Sequence, residues 1–395
     1  MKKKKILFLM YSMWENRWTE KLFSQLSHKL KENYELFFVS FFDIKPYDNF
    51  TWKYFFLNKN IRIKFVYKIL NIFKLRRIIK ENNIDIVVWT NDLLNIILLF
   101  STLFLKIKKI WTIHSNPLLN FNNIIKRFVI KLFYPVFYKV ICVSNTQELI
   151  MIEKFKLRNT KTIYNFFDIK KELLKFNQNL DRYEENSFKN KFNFIMISRL
   201  DRLKWFLPTL RIFKELTKKY KNINLIIIWE WEYRKSIERY IFENNLTNNI
   251  HLFWSKKNIY PYLLKSDCFL FPSLSEAFWL VLIEALLTNK LIVSADCNIW
   301  PKEILNTNID FGKILNYPYY WEYWLLVEAF NNRDLDKYEL NKNKNLDNKE
   351  KILFNLLKDI YLNTSKYLNQ YPSWRKRAEN FDINNIINDW KKIFL

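Results

Sequence analysis

Short apolar runs alternate with amphipathic helical stretches, and this alternation constrains the fold more than any other feature of the chain. The first half contains five strand-like runs: KILFLM, YELFFVS, DIVVWT, KKIWTIHS and KVICVS. The alternation then restarts with five more: FNFIMIS, INLIIIW, NIHLFW, CFLFPS and KLIVSAD. Strands separated by helices build a parallel sheet with helices on both faces. The sequence therefore predicts an α/β protein with two Rossmann-like, doubly wound domains.

The domain boundaries follow from where the alternation stops. We predict a first domain over 1–168, a polar linker over 169–191 and a second domain over 192–373. Residues 374–395 are predicted as one amphipathic helix that crosses back to the first domain. Ligands of such sheets bind beyond the carboxyl ends of the strands, so a cleft between the two domains is the expected site.

A large positive charge favours anionic partners. Lys and Arg total 65 against 39 Asp and Glu, a formal net charge of +26. Nucleic acid, an acidic membrane surface and phosphorylated substrates would all suit it, and the lysine-rich bias of an AT-rich genome would explain it without any partner. The lysines are spread along the chain and no nucleic-acid-binding motif is present, so no nucleic acid is expected.

Cysteine usage and apolar segments indicate the compartment. The three cysteines show no CxxC or metal-ligand spacing, which suits a reducing cytosol and predicts no metal site.

MKKKKILFLMY imitates a signal peptide but no cleavage site follows it. The run 93–105 is too short to span a bilayer; it fits a core helix or one lying against a membrane. Segment 121–138 would rest equally well on an anionic membrane or on its own sheet. We expect a cytoplasmic protein, with a peripheral position at the inner membrane face as an open alternative.

Glycine is almost absent from a chain that needs turns. Gly312 is the one glycine in 395 residues, where roughly 28 are expected, and there are 15 tryptophans. Turn positions with positive φ suit glycine and suit tryptophan poorly. Eight tryptophans stand where glycine is expected: Trp14, Trp18, Trp205, Trp229, Trp231, Trp254, Trp279 and Trp300.

Two hypotheses account for these tryptophans. In the first, glycine codons were written as tryptophan, because some bacteria read UGA as glycine. Five more tryptophans are then plausible recoded glycines (Trp89, Trp111, Trp321, Trp324 and Trp374), whereas Trp52 and Trp390 would be genuine. In the second, the protein is truly rich in tryptophan.

With glycine at the turn positions, the second half contains PSLSEAFGLVLIEAL, LIIIGEGEYRKSIERYI and DCNIGPKEIL. These segments resemble glycosyltransferase family 4, of the GT-B fold. The resemblance covers nearly the whole chain and is densest over 195–305. It depends most on the E-x7-E pair of Glu276 and Glu284, which stands in the family's P-S-x-x-E-A-F context.

The resemblance implies sugar transfer from a nucleotide-sugar donor, usually UDP-linked, with retention of anomeric configuration and without a metal or other cofactor. Arg199 and Lys204 would bind the diphosphate. Glu276 would contact the donor sugar and Glu284 the ribose, while His114 would approach the sugar from the first domain.

Further donor-binding residues follow from the same resemblance. Glu230 matches a turn near the nucleotide, and the Trp14–Trp18 loop matches one that closes over phosphate and acceptor. The start of the helix after the first glutamate would offer its amides to phosphate. The remaining candidates are Phe278, Trp279, Leu280, Val281 and Ser255. Asn165 and Asp168 match an N-x-x-D motif with an expected structural role.

The acceptor is less constrained. Segment 295–305, read with glycine at 300, looks like members that add hexoses or hexosamines to lipid-linked or cell-surface glycans, including lipopolysaccharide. Three alternatives stay open: a non-catalytic, membrane-associated GT-B scaffold, a basic nucleic-acid-binding protein, and a sugar-nucleotide hydrolase or epimerase.

Overall fold

The computed structural model of the chain describes part of it. The described residues are 3–10, 18–40, 52–57, 64–90, 95–120, 123, 127–128, 131, 134–197, 206–228, 234–273, 280–297, 300–305, 315–321, 324–329, 345–370 and 374–395. The chain divides into two compact units. Unit 1 comprises Met1–Asp168 and Phe381–Leu395, and unit 2 comprises Ile169–Asn380.

Unit 1 is built on a seven-stranded, wholly parallel sheet of order β3-β2-β1-β4-β5-β6-β7. Its strands are β1 Lys4–Met10, β2 Tyr34–Ser40, β3 Lys53–Phe56, β4 Ile86–Trp89, β5 Lys108–Ile113, β6 Lys139–Cys142 and β7 Thr160–Thr162. All five predicted strands of the first half are confirmed. The short strands β3 and β7 were not predicted, because neither contains an apolar run that is buried throughout.

Helices cover both faces of this sheet. They are Trp18–Leu30, Lys64–Glu81, Asn95–Ser101, Pro117–Asn120, Asn145–Glu153 and Ile383–Phe394, with a 3₁₀ turn at Tyr134–Val136. Leu75 and Leu98 pack in the core on one face, where Trp89 and Trp111 are fully buried. Phe23 and Trp390 pack in the core on the other face.

Unit 2 contains a second seven-stranded sheet, of order β10-β9-β8-β11-β12-β14-β13. Its strands are β8 Phe192–Ile197, β9 Ile223–Ile228, β10 Ile250–Phe253, β11 Cys268–Phe271, β12 Leu291–Asp296, β13 Tyr319–Trp321 and β14 Trp324–Glu328. Six strands are parallel and β13 is antiparallel to β14. The five predicted strands are again present, and the pair β13–β14 was not predicted. Two such sheets confirm the predicted α/β class.

The helices of unit 2 correct two predictions. They are Ile169–Leu174, Arg182–Phe188, Phe206–Lys219, Arg234–Glu243, Tyr260–Lys265, Leu280–Leu287, Trp300–Leu305, Asn348–Leu362, Thr364–Gln370 and Trp374–Glu379. Segment 169–191, predicted as a polar linker between the domains, holds two helices and a 3₁₀ turn and lies in unit 2. Residues 374–395, predicted as one helix, form two, and only Ile383–Phe394 lies in unit 1.

Asparagine makes most of the left-handed turns among the described residues. Asn83, Asn190, Asn245 and Asn289 have φ between 51° and 59°. Asparagine tolerates this conformation better than other residues with a Cβ, because its short amide bonds locally. In the part of the chain that the structure describes, tight turns therefore form without glycine.

Candidate active site

The predicted donor residues of unit 2 follow the carboxyl ends of parallel strands. Because β8, β9, β10, β11 and β12 run in the same direction, their carboxyl ends share one edge of the sheet. Ligands of such sheets bind at that edge. Seven predicted residues lie outside the described part of the chain: Trp14, Arg199, Lys204, Glu230, Glu276, Phe278 and Trp279.

Glu284 lies on the one side of its helix that is not buried. In Leu280–Leu287 all residues are buried except Leu280 and Glu284, which are partly exposed. Residues four apart lie on the same helical face, so these two share an outward-facing stripe. The predicted ligand residue is therefore accessible. Val281 is buried in the core, and only its backbone could serve a ligand.

Two residues that sequence reasoning missed, Tyr260 and Glu172, form a buried hydrogen-bonded pair in unit 2. The Tyr260 hydroxyl donates to Glu172 Oε2 at 3.1 Å, and Lys175 Nζ contacts the same oxygen at 2.6 Å. Burial raises the pKa of Tyr260 far above its usual range, and the charges of Glu284 and Glu172 raise it further. The carboxylate of Glu284 therefore acts electrostatically on a phenol that stays protonated.

An aromatic ring and a cation meet where β10 ends. The Arg234 guanidinium lies 4.1 Å above the Trp254 ring, and the Trp254 side chain is 56% exposed. Arg234 is held by Glu238 at 2.7 Å and donates to the Leu252 carbonyl at 3.3 Å. Cation–π contact of this kind stabilises both groups at a surface. Ser255, a predicted donor-binding residue, follows directly and is exposed.

Asp296 ends β12 and was not predicted. Its carboxylate is buried and accepts a hydrogen bond from the Tyr317 hydroxyl. Burial raises the pKa of Tyr317, and the bond to Asp296 raises it further. Asp296 is therefore a buried carboxylate at the carboxyl end of a strand of this sheet, paired with a tyrosine hydroxyl.

His114 follows β5 at the carboxyl edge of the unit 1 sheet, as predicted from the sequence. Its Nε2 lies 2.9 Å from Thr112 Oγ1, and that hydroxyl donates to the Trp89 carbonyl at 3.0 Å. The hydroxyl proton is thus used, so Nε2 donates and Nδ1 bears the lone pair. Burial lowers the pKa of His114 to about 3, so the ring is neutral at pH 7.

Gln147 fixes the backbone beside His114 and was missed from the sequence. Its amide nitrogen donates to the Ser115 carbonyl at 2.8 Å, and its amide oxygen accepts from the Val143 amide at 2.8 Å. Ser144 caps the helix that contains Gln147. The loops after β5 and β6 are therefore joined by one buried side chain.

The structure also places three further predicted residues of unit 1. Trp18 is the first residue of helix Trp18–Leu30, and Asn165 and Asp168 are buried. Within the described ranges, no cluster of three or more His, Cys, Asp or Glu side chains could bind a metal. No described helix combines the length and apolarity needed to cross a bilayer.

Comparison with known proteins identifies relatives over the full length. Residues 177–312 match the family model "Glycosyl transferases group 1", and residues 21–171 match "Glycosyltransferase Family 4". An uncharacterized glycosyltransferase of Methanocaldococcus jannaschii is 33% identical over 98% of both chains. An N-acetylgalactosamine-N,N'-diacetylbacillosaminyl-diphospho-undecaprenol 4-alpha-N-acetylgalactosaminyltransferase of Campylobacter jejuni is 26% identical over 50% of this chain and 51% of its own.

Solved structures share the fold. The crystal structure of Anabaena Alr3699/HepE in complex with UDP and glucose has a TM-score of 0.74 at 15% identity and covers 99% of both chains. The lipopolysaccharide outer core galactosyltransferase WaaB, in its apo form, has a TM-score of 0.69 at 14% identity over 99% of both chains.

Proposed function

The chain belongs to the GT-B glycosyltransferases, and from this premise we propose that it transfers a hexose or hexosamine from a UDP-sugar with retention of anomeric configuration. The observation that carries the proposal is the placement of Glu284. With Leu280 it is one of the two partly exposed residues of a helix whose other six residues are buried, in the unit that matches the group 1 model. Glu284 would hold the ribose of the nucleotide.

The other roles are those that the family resemblance implies for these residues. Arg199 and Lys204 would meet the diphosphate, with the amides that begin the helix at Leu280, so that fixed positive charge stabilises the leaving group without a metal. Glu276 would bind the sugar hydroxyls. His114, neutral at pH 7, would approach the sugar as a hydrogen-bonding group rather than as a cation. Support for UDP comes from the Anabaena structure, which contains UDP and glucose.

We propose a lipid-linked or cell-surface glycan as the acceptor. The Campylobacter relative acts on a diphospho-undecaprenol-linked sugar, and WaaB is a galactosyltransferase of the lipopolysaccharide outer core. An acceptor of this kind places the enzyme at the cytoplasmic face of the cell membrane.

We also propose that several printed tryptophans are glycines in the native protein. A ring at position 279 would occupy the space where phosphate reaches the start of the helix. A glycine at 254 would remove an exposed ring, whereas a glycine at 89 or 111 would remove a fully buried one. Replacement by glycine would therefore have a different structural effect at each of these positions, and each position needs its own test.

The test is a nucleotide-sugar panel on protein made with glycine at 14, 18, 205, 229, 231, 254, 279 and 300. UDP release and product stereochemistry are measured with and without chelator. Glu276→Ala is expected to abolish turnover and Glu284→Gln to weaken UDP binding. Glu215→Gln, which alters an exposed ion pair with Lys218, is the control.

Each rival function has its own outcome. UDP binding without turnover of any donor would indicate the non-catalytic scaffold. Donor breakdown with no transfer to any acceptor would indicate a hydrolase or epimerase. Salt-dependent RNA or DNA binding without UDP binding would indicate a nucleic-acid-binding protein. Full turnover by Glu276→Ala would overturn the site assignment.

A further inference from the structure

Unit 1 has a cluster of exposed apolar side chains on two neighbouring elements. We call it the apolar patch, and its members are Ile69, Leu70, Phe73, Phe100, Leu103 and Phe104. The Phe73 ring is 65% exposed and the Phe104 ring 91% exposed. Single exposed apolar residues are ordinary, but a contiguous group of them marks an interaction surface.

Hydrogen bonds hold the two elements together. Arg76 on helix Lys64–Glu81 donates to the carbonyls of Ser101 at 3.2 Å and Leu103 at 2.7 Å. The Ser101 hydroxyl donates back to the Ile72 carbonyl at 3.1 Å. The inner sides of both helices share one core, through Leu75 and Leu98. The two elements that contain the apolar patch are therefore fixed next to each other by the fold.

The backbone at Phe104 holds an aromatic ring in solvent. Phe104 has φ of 60°, in the left-handed region where residues with a Cβ are uncommon. A left-handed conformation costs a bulky residue free energy that must be offset elsewhere. The turn is closed by the Leu105 amide, which donates to the Thr102 carbonyl at 3.1 Å, so the backbone itself holds the Phe104 ring in its exposed position.

Basic side chains continue the same surface. Along helix Lys64–Glu81 the exposed residues change from Ile69, Leu70 and Phe73 to Lys74, Arg77 and Lys80. Lys106, two residues beyond Phe104, is also exposed. Arg77 pairs with Glu81 at 2.6 Å, so the cationic end includes one acid. Apolar rings beside a row of cations suit the boundary between acyl chains and anionic headgroups.

We propose that the apolar patch and its flanking cations dock onto an anionic lipid bilayer. The inference adds a membrane-binding surface to the proposed function. It rests on that function only for the reason why the protein would bind a membrane. A second copy of the chain is a poorer occupant. Pairing the surface with itself would bring two rows of lysines together, and like charges across an interface are unfavourable.

The test is co-sedimentation of the full chain with vesicles of phosphatidylcholine mixed with phosphatidylglycerol, and with phosphatidylcholine alone. The double variant Phe73→Ser/Phe104→Ser is expected to bind the mixed vesicles at least about tenfold more weakly, since two aromatic side chains lose their apolar contact. The variant Lys74→Gln/Lys80→Gln should lose its preference for the anionic vesicles.

The matched control is Phe242→Ser, whose ring is 76% exposed on helix Arg234–Glu243 of unit 2. It should bind like the unaltered protein, and the far-UV circular dichroism of all variants should be unchanged. Binding unaffected by the double variant, or weakened equally by Phe242→Ser, would overturn the proposal. So would a dimer in light scattering that the double variant splits. UDP release with a soluble donor, measured in parallel, separates failure of the proposed function from failure of this one.

Discussion

Tyr260 donates its hydroxyl hydrogen to Glu172, although 88 positions separate the two residues in the sequence. Glu172 is 1% exposed, and Lys175 on the same segment balances its charge at 2.6 Å. A buried carboxylate is tolerated only when it is paired and hydrogen-bonded. Segment 169–191 is thereby tied to helix Tyr260–Lys265, which explains why it is ordered although its sequence is polar.

Replacing Tyr260 with phenylalanine is expected to lower the free energy of unfolding by about 1–2 kcal/mol. The substitution leaves Glu172 buried with one donor fewer, and loss of a partner by a buried charged group has a cost of this order. Urea unfolding followed by circular dichroism measures it. Tyr183→Phe, at a position that is 72% exposed, is the control and should change nothing. Equal stability of both variants would show that the Tyr260–Glu172 bond adds no stability.

The ion pair of Arg211 and the buried Glu350 predicts that two substitutions will have non-additive effects on the free energy of unfolding. Arg211 Nε lies 2.8 Å from Glu350 Oε1, which is fully buried and also belongs to a capping box with Asp347. Arg211→Met should cost about 3–5 kcal/mol because it leaves an uncompensated carboxylate. The double variant Arg211→Met/Glu350→Met should be more stable than Arg211→Met.

The measurement for this pair is a double-mutant cycle by urea unfolding. The exposed pair Lys218–Glu215, at 2.7 Å on helix Phe206–Lys219, is the control and should show coupling below about 1 kcal/mol. A double variant less stable than Arg211→Met alone would contradict the argument.

The sequence predicted the elements that bury a continuous apolar run. Strands such as INLIII are buried at every position, and burial on both faces is what a central parallel strand requires. The strands KYFF and TKT have partly exposed positions, so they lack that signal. Their pairing is decided by the neighbouring strand, which one local window of sequence does not contain.

The residues of the candidate site likewise fall into those that the sequence could indicate and those that it could not. Glu284 was named from the E-x7-E motif of the resembled family, and His114 from its place after an apolar strand together with that resemblance, so their roles toward a ligand stay predictions. Tyr260, Glu172 and Gln147 could not be predicted, because their roles depend on hydrogen bonds between distant segments. The polar composition of 169–191 indicated a linker, whereas Asp181 and Glu184 form a capping box that starts a helix there.

Acidification is expected to destabilise the protein through His251. Burial, and then the charge of Lys191, lowers the pKa of His251 to about 4, whereas an unfolded chain has a histidine pKa near 6.5. Between these values the unfolded state binds a proton that the folded state does not. Stability is therefore full above about pH 6.5 and falls as the pH drops toward 4, by less than about 1.4 kcal/mol per pH unit because the side chain is partly exposed.

Urea unfolding at a series of pH values, compared with His251→Asn, measures this contribution. The difference in stability between the two proteins should change with pH between about 6.5 and 4 in the predicted direction. His28→Asn, at the end of helix Trp18–Leu30 in unit 1, is the matched control. A pH-independent difference between His251→Asn and the unaltered protein would contradict the assignment.

Trp390 and Trp254 test the recoding proposal, because glycine is expected to be costly at position 390 and tolerated at position 254. Trp390 is 3% exposed and packs edge-on against Phe23, with ring centres 6.0 Å apart. Trp390→Gly should cost at least about 3–5 kcal/mol, the range for deleting a buried aromatic side chain. Trp254 is 56% exposed and its ring contacts the Arg234 guanidinium, so Trp254→Gly should lower the free energy of unfolding by about 0.5–1 kcal/mol, the order of an exposed cation–π contact. Peptides of the native protein, sequenced by tandem mass spectrometry, should then contain glycine at 254 and tryptophan at 390. Tryptophan at both positions, together with tryptophan at 279, would eliminate the recoding proposal, and the donor site would have to be explained with the rings in place.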